Sequence, residues 1–547
     1  MENIDIAKSF NLLGKLMELH GENPFKVRSY YNAYNVLRKQ ERPLTDMSED
    51  EIGAIPGLGT AIVGKIGELN SKGEMDTLER YKSMTPPGVI DMIQVRGFGP
   101  KKVSAIWNQL EIDTIGELLQ ACEENRLVAL KGFGLKTQDD LKKKLQYYQS
   151  SKGFVHFATA ENEIEEIQSE IDENFSQDAA IVGDAAKQNQ IIEGIQILVT
   201  EDRLEKLEKF ILDNSDSTVS GLNYKTIPVH LIDCAASDFA AEQLSLNSDE
   251  DYVAYLEEEF DLALEEFPDE LNEEAIFEAL DIPYLSPPQR ELWNENKQNL
   301  SENELIQVSD IKGLVHCHST YSDGLHSLAD MAKYAKSQGM DYMLITDHSQ
   351  SAFYADGLKP DRVLEQWKEI DELNAKMYDF HIFKGIESDI LSDGSLDYEQ
   401  EMLDGFDVII ASIHSNLNMD EEKATKRLIA AIEHPSTRIL GHPTGRLLLS
   451  RAGYPIDHGS VIDACAEHNV VIELNAHPSR LDLDYHWICY ALEKGIKISI
   501  NPDAHSKEAL HLVKHGVRVA RKAWVRAEDN LSSCTLEEFK QWIAKKK

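Results

Sequence analysis

Residues 314–324 read LVHCHSTYSDG: two histidines two apart behind an apolar run, with an acid five residues after the second. Imidazole and carboxylate are the donor types that hold zinc, manganese or iron. On a strand, side chains two apart share a face, so His316 and His318 are expected to reach one ion, with Asp323 in the following loop. The same chemistry recurs downstream in ITDHS (His348), KGIES (Glu387), ASIHS (His414), GHPTGR (His442) and NPDAHS (Asp503, His505). Nine such groups exceed the about four to six ligands of a single ion, so two or three ions are implied, and imidazole and carboxylate leave manganese, zinc and iron all open. Neighbouring divalent ions bind phosphate oxygens, lower the pKa of a shared water and steady a leaving oxygen, which is phosphoester hydrolysis. Arg446 and Arg480 lie just beyond ligand-bearing strands; each is either a phosphate clamp or a partner in a loop salt bridge.

Such groups need a frame. From about 305 to 526, short apolar runs alternate with helical stretches: GLVHCH, DYMLITDH, FHIFKGIE, FDVIIASIH, RILGHP, VVIELNAHP and KISINPDAH. Seven strand–helix units in succession predict a parallel barrel, and barrel active sites form at the C-terminal ends of the strands, where every one of these runs carries His, Glu or Asp.

Upstream the pattern differs. Residues 1–150 read as amphipathic helices joined by three similar turns, IPGLGTAIVGKI, VRGFGPKKVSAI and LKGFGLKTQDDL. With their paired glycines (Gly57 and Gly59, Gly97 and Gly99, Gly132 and Gly134) these turns resemble helix-hairpin-helix motifs, and the resemblance implies that backbone approaches a DNA phosphate at a helix start, with Lys101, Lys102 and Lys136 adding charge. The net charge of −41 argues against nucleic acid on its face, but residues 1–150 hold 20 Lys+Arg against 21 Asp+Glu. The excess lies later, and residues 226–289 contain no Lys or Arg at all. Six scattered cysteines without a CxxC pair, no signal-like start and no long apolar run predict a cytoplasmic chain without a membrane span. The stretch 286–304 reads as a polar connector.

The run from HCHSTYSDG to NPDAHS resembles the PHP (polymerase and histidinol phosphatase) domain, a distorted seven-unit barrel that holds three metals. By that resemblance His316, His318, Glu387 and Asp503 take the first ion; Glu387, as a bridge, His414 and His442 the second; Asp323, His348 and His505 the third. Asn501-Pro502 stands where many relatives have Ser-Thr. The glycine turns resemble helix-hairpin-helix motifs, and with NPFKVRSYYNAYNVL they resemble the lyase and fingers regions of family X DNA polymerases, whose bacterial members end in a PHP domain. Lys65 matches the Schiff-base lysine of lyase-active relatives, although without neighbouring lyase lysines a phosphate or solvent contact is the simpler expectation.

The resemblance implies a multidomain α and α/β chain: a helical lyase-like domain (1–85), a fingers-like helix-hairpin-helix region (86–150), a polymerase-beta-like α+β palm (153–233), an acidic thumb-like region (234–290), a linker (291–310) and the PHP barrel (311–547). Active palms carry GSxRRG…GDxDxLxT. Here VGDAAKQNQIIEGIQILVT puts Gly194 and Gln196 where two aspartates belong, and IPVHL offers His230 for the third. Asp184 and Ala185-Ala186-Lys187 replace the serine and basic pair, and Glu193 is one residue out of register. Without carboxylates no catalytic magnesium is expected in the palm. The expectation is a monomeric, metal-dependent phosphoesterase acting on gapped or 3′-ended DNA as a 3′→5′ exonuclease, with 3′-phosphatase or abasic-site cleavage as related activities. An active gap-filling polymerase, a small-molecule PHP phosphatase and a non-enzymatic repair scaffold are the alternatives.

Overall fold

The structure, a computed structural model, describes all residues except 2, 41, 96, 124–126, 128–129, 131, 176, 218, 220, 262, 264–271, 295–296, 298–299 and 546–547. It divides into two compact units: Met1–Lys152 with Ser450–Ala452, and Gly153–Leu449 with Gly453–Lys547.

The first unit is helical. One apolar core runs through it from Ile6 on the helix Asn3–Leu19 to Leu145 on the helix Leu135–Ser151. Its three glycine turns share a conformation. Gly57, Gly97 and Gly132 have φ of +93°, +94° and +91°, which only glycine adopts at little cost, and each is followed within three residues by a helix start.

In the second unit, strands are numbered along the chain. β1 (Val155–His156) pairs with β3 (Ile191–Ile192). β2 (Ala179–Val182), β4 (Ile195–Thr200), β5 (Asn223–Tyr224) and β6 (Ile227–Cys234) form the palm-like sheet in the order β2-β4-β6-β5. The acidic helices Phe239–Leu246, Glu250–Phe260 and Glu273–Ala279 follow. They share a core with Leu285, Leu305 and Trp524. The polar stretch 286–304 packs on this core through Leu292, Trp293 and Leu300, and just beyond it Leu305 and Ile306 are buried, the Ile306 amide donating to the Val525 carbonyl at 2.9 Å.

The barrel comprises β7 (Gly313–Cys317), β8 (Tyr342–Ile345), β9 (His381–Asp389), β10 (Val408–Ser412), β11 (Thr437–Leu440), β12 (Val471–Asn475) and β13 (Ile498–Asn501), parallel and adjacent in chain order. β13 and β7 meet at the mouth, where the His318 amide donates to Ala504 O at 2.8 Å and the Ala504 amide to His316 O at 3.2 Å. At the opposite end Phe539, from the helix Leu536–Ala544, stacks on Tyr342 with centroids 4.5 Å apart and plugs the interior beside Phe383. Chemistry is thus confined to one end of the barrel.

Candidate metal centre

The Glu387 carboxylate, carried at the C-terminal end of β9, is the hub of the barrel mouth. Its Oε1 lies 3.3 Å from His316 Nε2, 3.1 Å from His414 Nε2 and 3.0 Å from His442 Nε2. Its Oε2 faces His348 Nδ1 at 3.0 Å and His318 Nε2 at 3.7 Å. Asp503 Oδ1 stands 3.2 Å from His318 Nε2 and 3.6 Å from His316 Nε2. Asp323 Oδ1 stands 3.4 Å from His505 Nε2 and 3.7 Å from His348 Nε2. All nine residues singled out in the sequence are therefore brought together. Three sets have ligand atoms within 4.8 Å of one another: His318, Asp323, His348 and His505; His316, His318 and Asp503; His348, Glu387 and His414. His318 and His348 each belong to two sets, so the sets interlock more than the resemblance alone implies.

Simple strand alternation does not bring His316 and His318 together. The β7–β8 register shifts between Leu314 and Cys317, and His316 has φ +66°. His442 (+22°) and Asp503 (+49°) also sit in the left-handed region. Non-glycine residues there are strained, and such strain concentrates at functional sites. A network of supporting acids, which the sequence reading missed, holds these positions. Glu473, fully buried on β12, accepts from His316 Nδ1 (2.5 Å), the His442 amide (2.7 Å) and Asn501 Nδ2 (2.7 Å). That last bond gives the unusual Asn501 its role. Asp389 faces His414 Nδ1 at 2.6 Å. Asp347 accepts from the Ser319 amide (2.8 Å), Ser319 Oγ (2.7 Å) and the Ser322 amide (3.1 Å), shaping the loop that ends in Asp323. Two of these three had a legible signal: Asp389 lies two residues beyond Glu387, and Glu473 is the acid on the barrel strand that supplies none of the nine.

The electrostatics suit cation binding. Burial raises the cost of charge on Glu387 and Asp503, yet the surrounding imidazoles hold both well below the usual carboxylate range. Burial and the neighbouring His505 lower His318 to about 3, so its ring is neutral and its lone pair available. His316 Nε2, both ring nitrogens of His318, His442 Nδ1 and Glu387 Oε2 are buried without a hydrogen-bond partner. Most of these atoms point into the cluster, and buried polar atoms are rarely left this way unless something binds them. In His316 and His414, Nδ1 is engaged by a carboxylate while Nε2 faces Glu387, an arrangement common to metal-ligating histidines. The donor set fits a divalent-metal centre.

The two arginines diverge. Arg446 does not act as a free clamp: it donates to Arg480 O (2.8 Å), Asp484 Oδ2 (2.6 Å), Gln190 Oε1 (3.0 Å) and Leu481 O, so its guanidinium pins the rim loop. Arg480 keeps its Nε 3.5 Å from Asp503 Oδ2, beside the cluster. In the helical unit, Lys65 donates to Thr77 Oγ1 at 2.5 Å. A Cβ at Gly59, Gly99 or Gly134 would meet nothing within 4 Å, so internal packing does not demand these glycines. Lys101 and Lys136 are exposed and Lys102 is half-buried near the Phe133 ring.

In the palm, Gln196 on β4 pairs in register with His230 on β6. A Cβ at Gly194 would lie 2.7 Å from Pro228 O and 3.0 Å from His230 Nε2, and one at Gly183 would lie 2.0 Å from Gln196 Oε1. The Gln196 amide thus covers Gly183, whose φ is +66°. Glu193 is exposed in the turn before β4 and lies outside the strand face on which register placed it. Asp184 accepts from Asn189 Nδ2 at 2.8 Å.

Three family models match the chain: a helix-hairpin-helix domain over residues 1–75, a SAM-like helix-hairpin-helix tandem over 89–146 and a PHP domain over 315–477. A Bacillus subtilis (strain 168) protein named DNA polymerase/3′-5′ exonuclease PolX is 32% identical over 577 aligned positions, covering 99% of both chains. A protein of Thermoanaerobacter sp. (strain X514) named a probable phosphatase is 28% identical over 247 residues, 42% of this chain and 94% of that protein. Among solved structures, histidinol phosphate phosphatase from Lactococcus lactis is 18% identical and covers 38% of this chain and 94% of its own, with a TM-score of 0.32. The near-complete match to the Bacillus protein, on a chain that itself matches two helix-hairpin-helix models followed by a PHP model, makes this chain a member of the PolX branch of the family X DNA polymerases.

Proposed function

We infer that the chain is a metal-dependent 3′→5′ DNA exonuclease whose chemistry lies at the barrel mouth and whose palm no longer adds nucleotides. The observation that carries this reading is the Glu387 carboxylate set among five imidazoles, with unpartnered nitrogens turned toward it. His316, His318, Glu387 and Asp503 would hold one ion, Glu387, His414 and His442 a second, and Asp323, His348 and His505 a third. Manganese, zinc and iron all suit these donors. When bound, the ions supply a water of lowered pKa and charge for the phosphate oxygens. The protein's residues do the rest. Glu473 and Asp389 fix the rings of His316 and His414, and Arg480 offers a guanidinium to a non-bridging oxygen beside Asp503. The helix starts after Gly57-Leu-Gly59, Gly97-Phe-Gly99 and Gly132-Phe-Gly134 engage the DNA backbone, with Lys101, Lys102 and Lys136 adding charge. Removal of a 3′-phosphate and cleavage at an abasic site are the same displacement on a different leaving group.

Two-metal nucleotide addition needs carboxylates, and Gly194, Gln196 and His230 supply none. The small-molecule phosphatase reading accounts for the barrel but gives the three glycine turns no task. A 5′-labelled primer–template incubated with Mn²⁺, with and without nucleotides, tests the whole. Stepwise shortening that is lost in His318→Ala is expected. No shortening overturns the exonuclease, and primer extension overturns the silent palm. A 3′-phosphorylated primer and an abasic-site duplex, run in parallel, rank the related activities.

A further inference from the structure

The motif NAHPSR contributes none of the nine clustered residues, yet it forms part of the same rim. Asn475, the last residue of β12, donates from Nδ2 to Asp503 Oδ2 at 3.0 Å and accepts the His477 amide on its Oδ1 at 3.1 Å. The chain then turns tightly, with the Arg480 and Leu481 amides donating to the His477 carbonyl at 2.7 and 3.1 Å. The turn sets the His477 and Arg480 side chains on one short loop beside Asp503. The charges acting on His477 are those of Asp503, Arg480, His505 and His156, the last from the palm strand β1. His477 is exposed, and its ring is oriented: Nδ1 accepts from Ser479 Oγ at 2.8 Å and from the Ser479 amide at 3.2 Å. Because the amide can only donate, Nδ1 must carry the lone pair. The proton therefore sits on Nε2, which makes no hydrogen bond among the described residues. An imidazole with its donor fixed at Nε2, on the same turn as a guanidinium beside Asp503, has a defined use.

We propose that His477 is a phosphate-binding residue of the barrel site, donating from Nε2 to a non-bridging oxygen of the reacting phosphodiester, with Arg480 on the same turn taking another. This inference rests on the exonuclease reading. Ser479 is the positioning residue that holds the donor tautomer. A hydrogen bond to a charged oxygen contributes enough to change kcat/KM by about 10- to 100-fold.

The test compares the full-length protein with His477→Phe, His477→Gln and Ser479→Ala, in Mn²⁺, on a 5′-labelled single-stranded oligonucleotide and on thymidine 5′-(p-nitrophenyl) phosphate. Bound metal is measured by mass spectrometry. His477→Phe is expected to lose about 10- to 100-fold in kcat/KM on both substrates, mostly through KM, with metal content unchanged. His477→Gln, which can place an amide N–H near the Nε2 position, is expected to recover most of the loss, and Ser479→Ala to fall between. The proposal is overturned if His477→Phe stays within twofold of the parent, if it sheds metal, if Gln is as poor as Phe, or if the loss is confined to the oligonucleotide. A parent enzyme inactive on both substrates would overturn the exonuclease reading itself, and this inference with it.

Discussion

Five imidazoles converge on one carboxylate in the barrel mouth, so Glu387 is the residue whose charge the cluster can least lose. With Gln there, the hub is neutral and the surrounding cations lose the anion that offsets them. Glu387→Gln is expected to lower phosphoesterase activity more than about 100-fold and to remove at least one bound ion, read by mass spectrometry of the purified protein. Glu473 makes no approach to a metal position yet holds His316 Nδ1, the His442 amide and Asn501 at once. Glu473→Gln is expected to cost about 10- to 100-fold in metal affinity, followed by Mn²⁺ titration, while the fold persists. Both residues are acids on barrel strands in the sequence, but Glu387 lies near the C-terminal end of β9 whereas Glu473 is the middle residue of β12. A ligand is betrayed by its type and its place on a strand. A supporting acid is identified by which ring nitrogen it meets, and that depends on the left-handed backbone at His316 and His442, which no periodicity encodes. Arg446 shows the converse: its type and place suited a clamp, and only the partners around its guanidinium show that it is occupied.

The acidic helices following the palm pose the question of how a segment without Lys or Arg between 226 and 289 can fold. The next residue answers it. Arg290 is fully buried and donates to Glu273 Oε2 at 2.9 Å, to Ser248 Oγ at 3.2 Å and to Leu285 O at 2.9 and 2.7 Å, with its guanidinium 5.3 Å from the Phe277 centroid. The cation at the end of the segment thus offsets Glu273 in the core, while Lys187 from the palm faces Asp249 at 3.8 Å. Removing a buried ionic partner strands the other charge. Arg290→Met is therefore expected to destabilise this element by about 3–5 kcal/mol, seen as protease cleavage within 234–290 under native conditions. Arg290→Met with Glu273→Met is expected to regain part of the loss, because no charge is then left buried. In the palm, the resemblance to family X polymerases located Gly194, Gln196 and His230, and the β4–β6 register places Gln196 opposite His230. What the resemblance could not reveal is that the room beside Gly194 and Gly183 is filled. Gly194→Asp with Gln196→Asp is expected to lower the melting temperature by several degrees and to yield no primer extension, since a Cβ at 194 already crowds Pro228 O and His230.

At the scale of the whole second unit, the palm, the segment that follows the acidic helices and the barrel are joined by a continuous polar seam. Its first part runs from the palm carbonyl Lys187 O to Lys522 Nζ (3.1 Å), on to Glu291 Oε2 (2.9 Å), and from Glu291 Oε1 to His486 Nε2 (2.9 Å). It continues through His486 Nδ1 to Asp484 Oδ1 (2.6 Å), from Asp484 Oδ2 to Arg446 (2.6 Å), and back to the palm at Gln190 (3.0 Å). No sequence pattern announces this seam, because its members are scattered over more than 300 residues. The order of helical region, mixed α/β region and barrel was legible, but the way the last two lock together was not. The seam makes stability depend on pH in a direction that can be worked out. Asp484 and Glu291 raise the folded pKa of His486 from 6.5 to about 9. Its contribution is complete below pH 6.5 and is lost as pH climbs through 9. Burial disfavours charge on Glu291, but His486, Lys522 and Tyr485 outweigh it and lower its pKa from 4.5 to about 2. That contribution is complete above pH 4.5 and is lost as pH falls toward 2. Both are in force together only between about pH 4.5 and 6.5. His486→Gln removes the histidine's share, so its melting temperature should lie furthest below the parent's near pH 6 and meet the parent's by pH 10. A gap that stayed constant across that range would mean the imidazole contributes through packing alone, and the seam would not be held by charge.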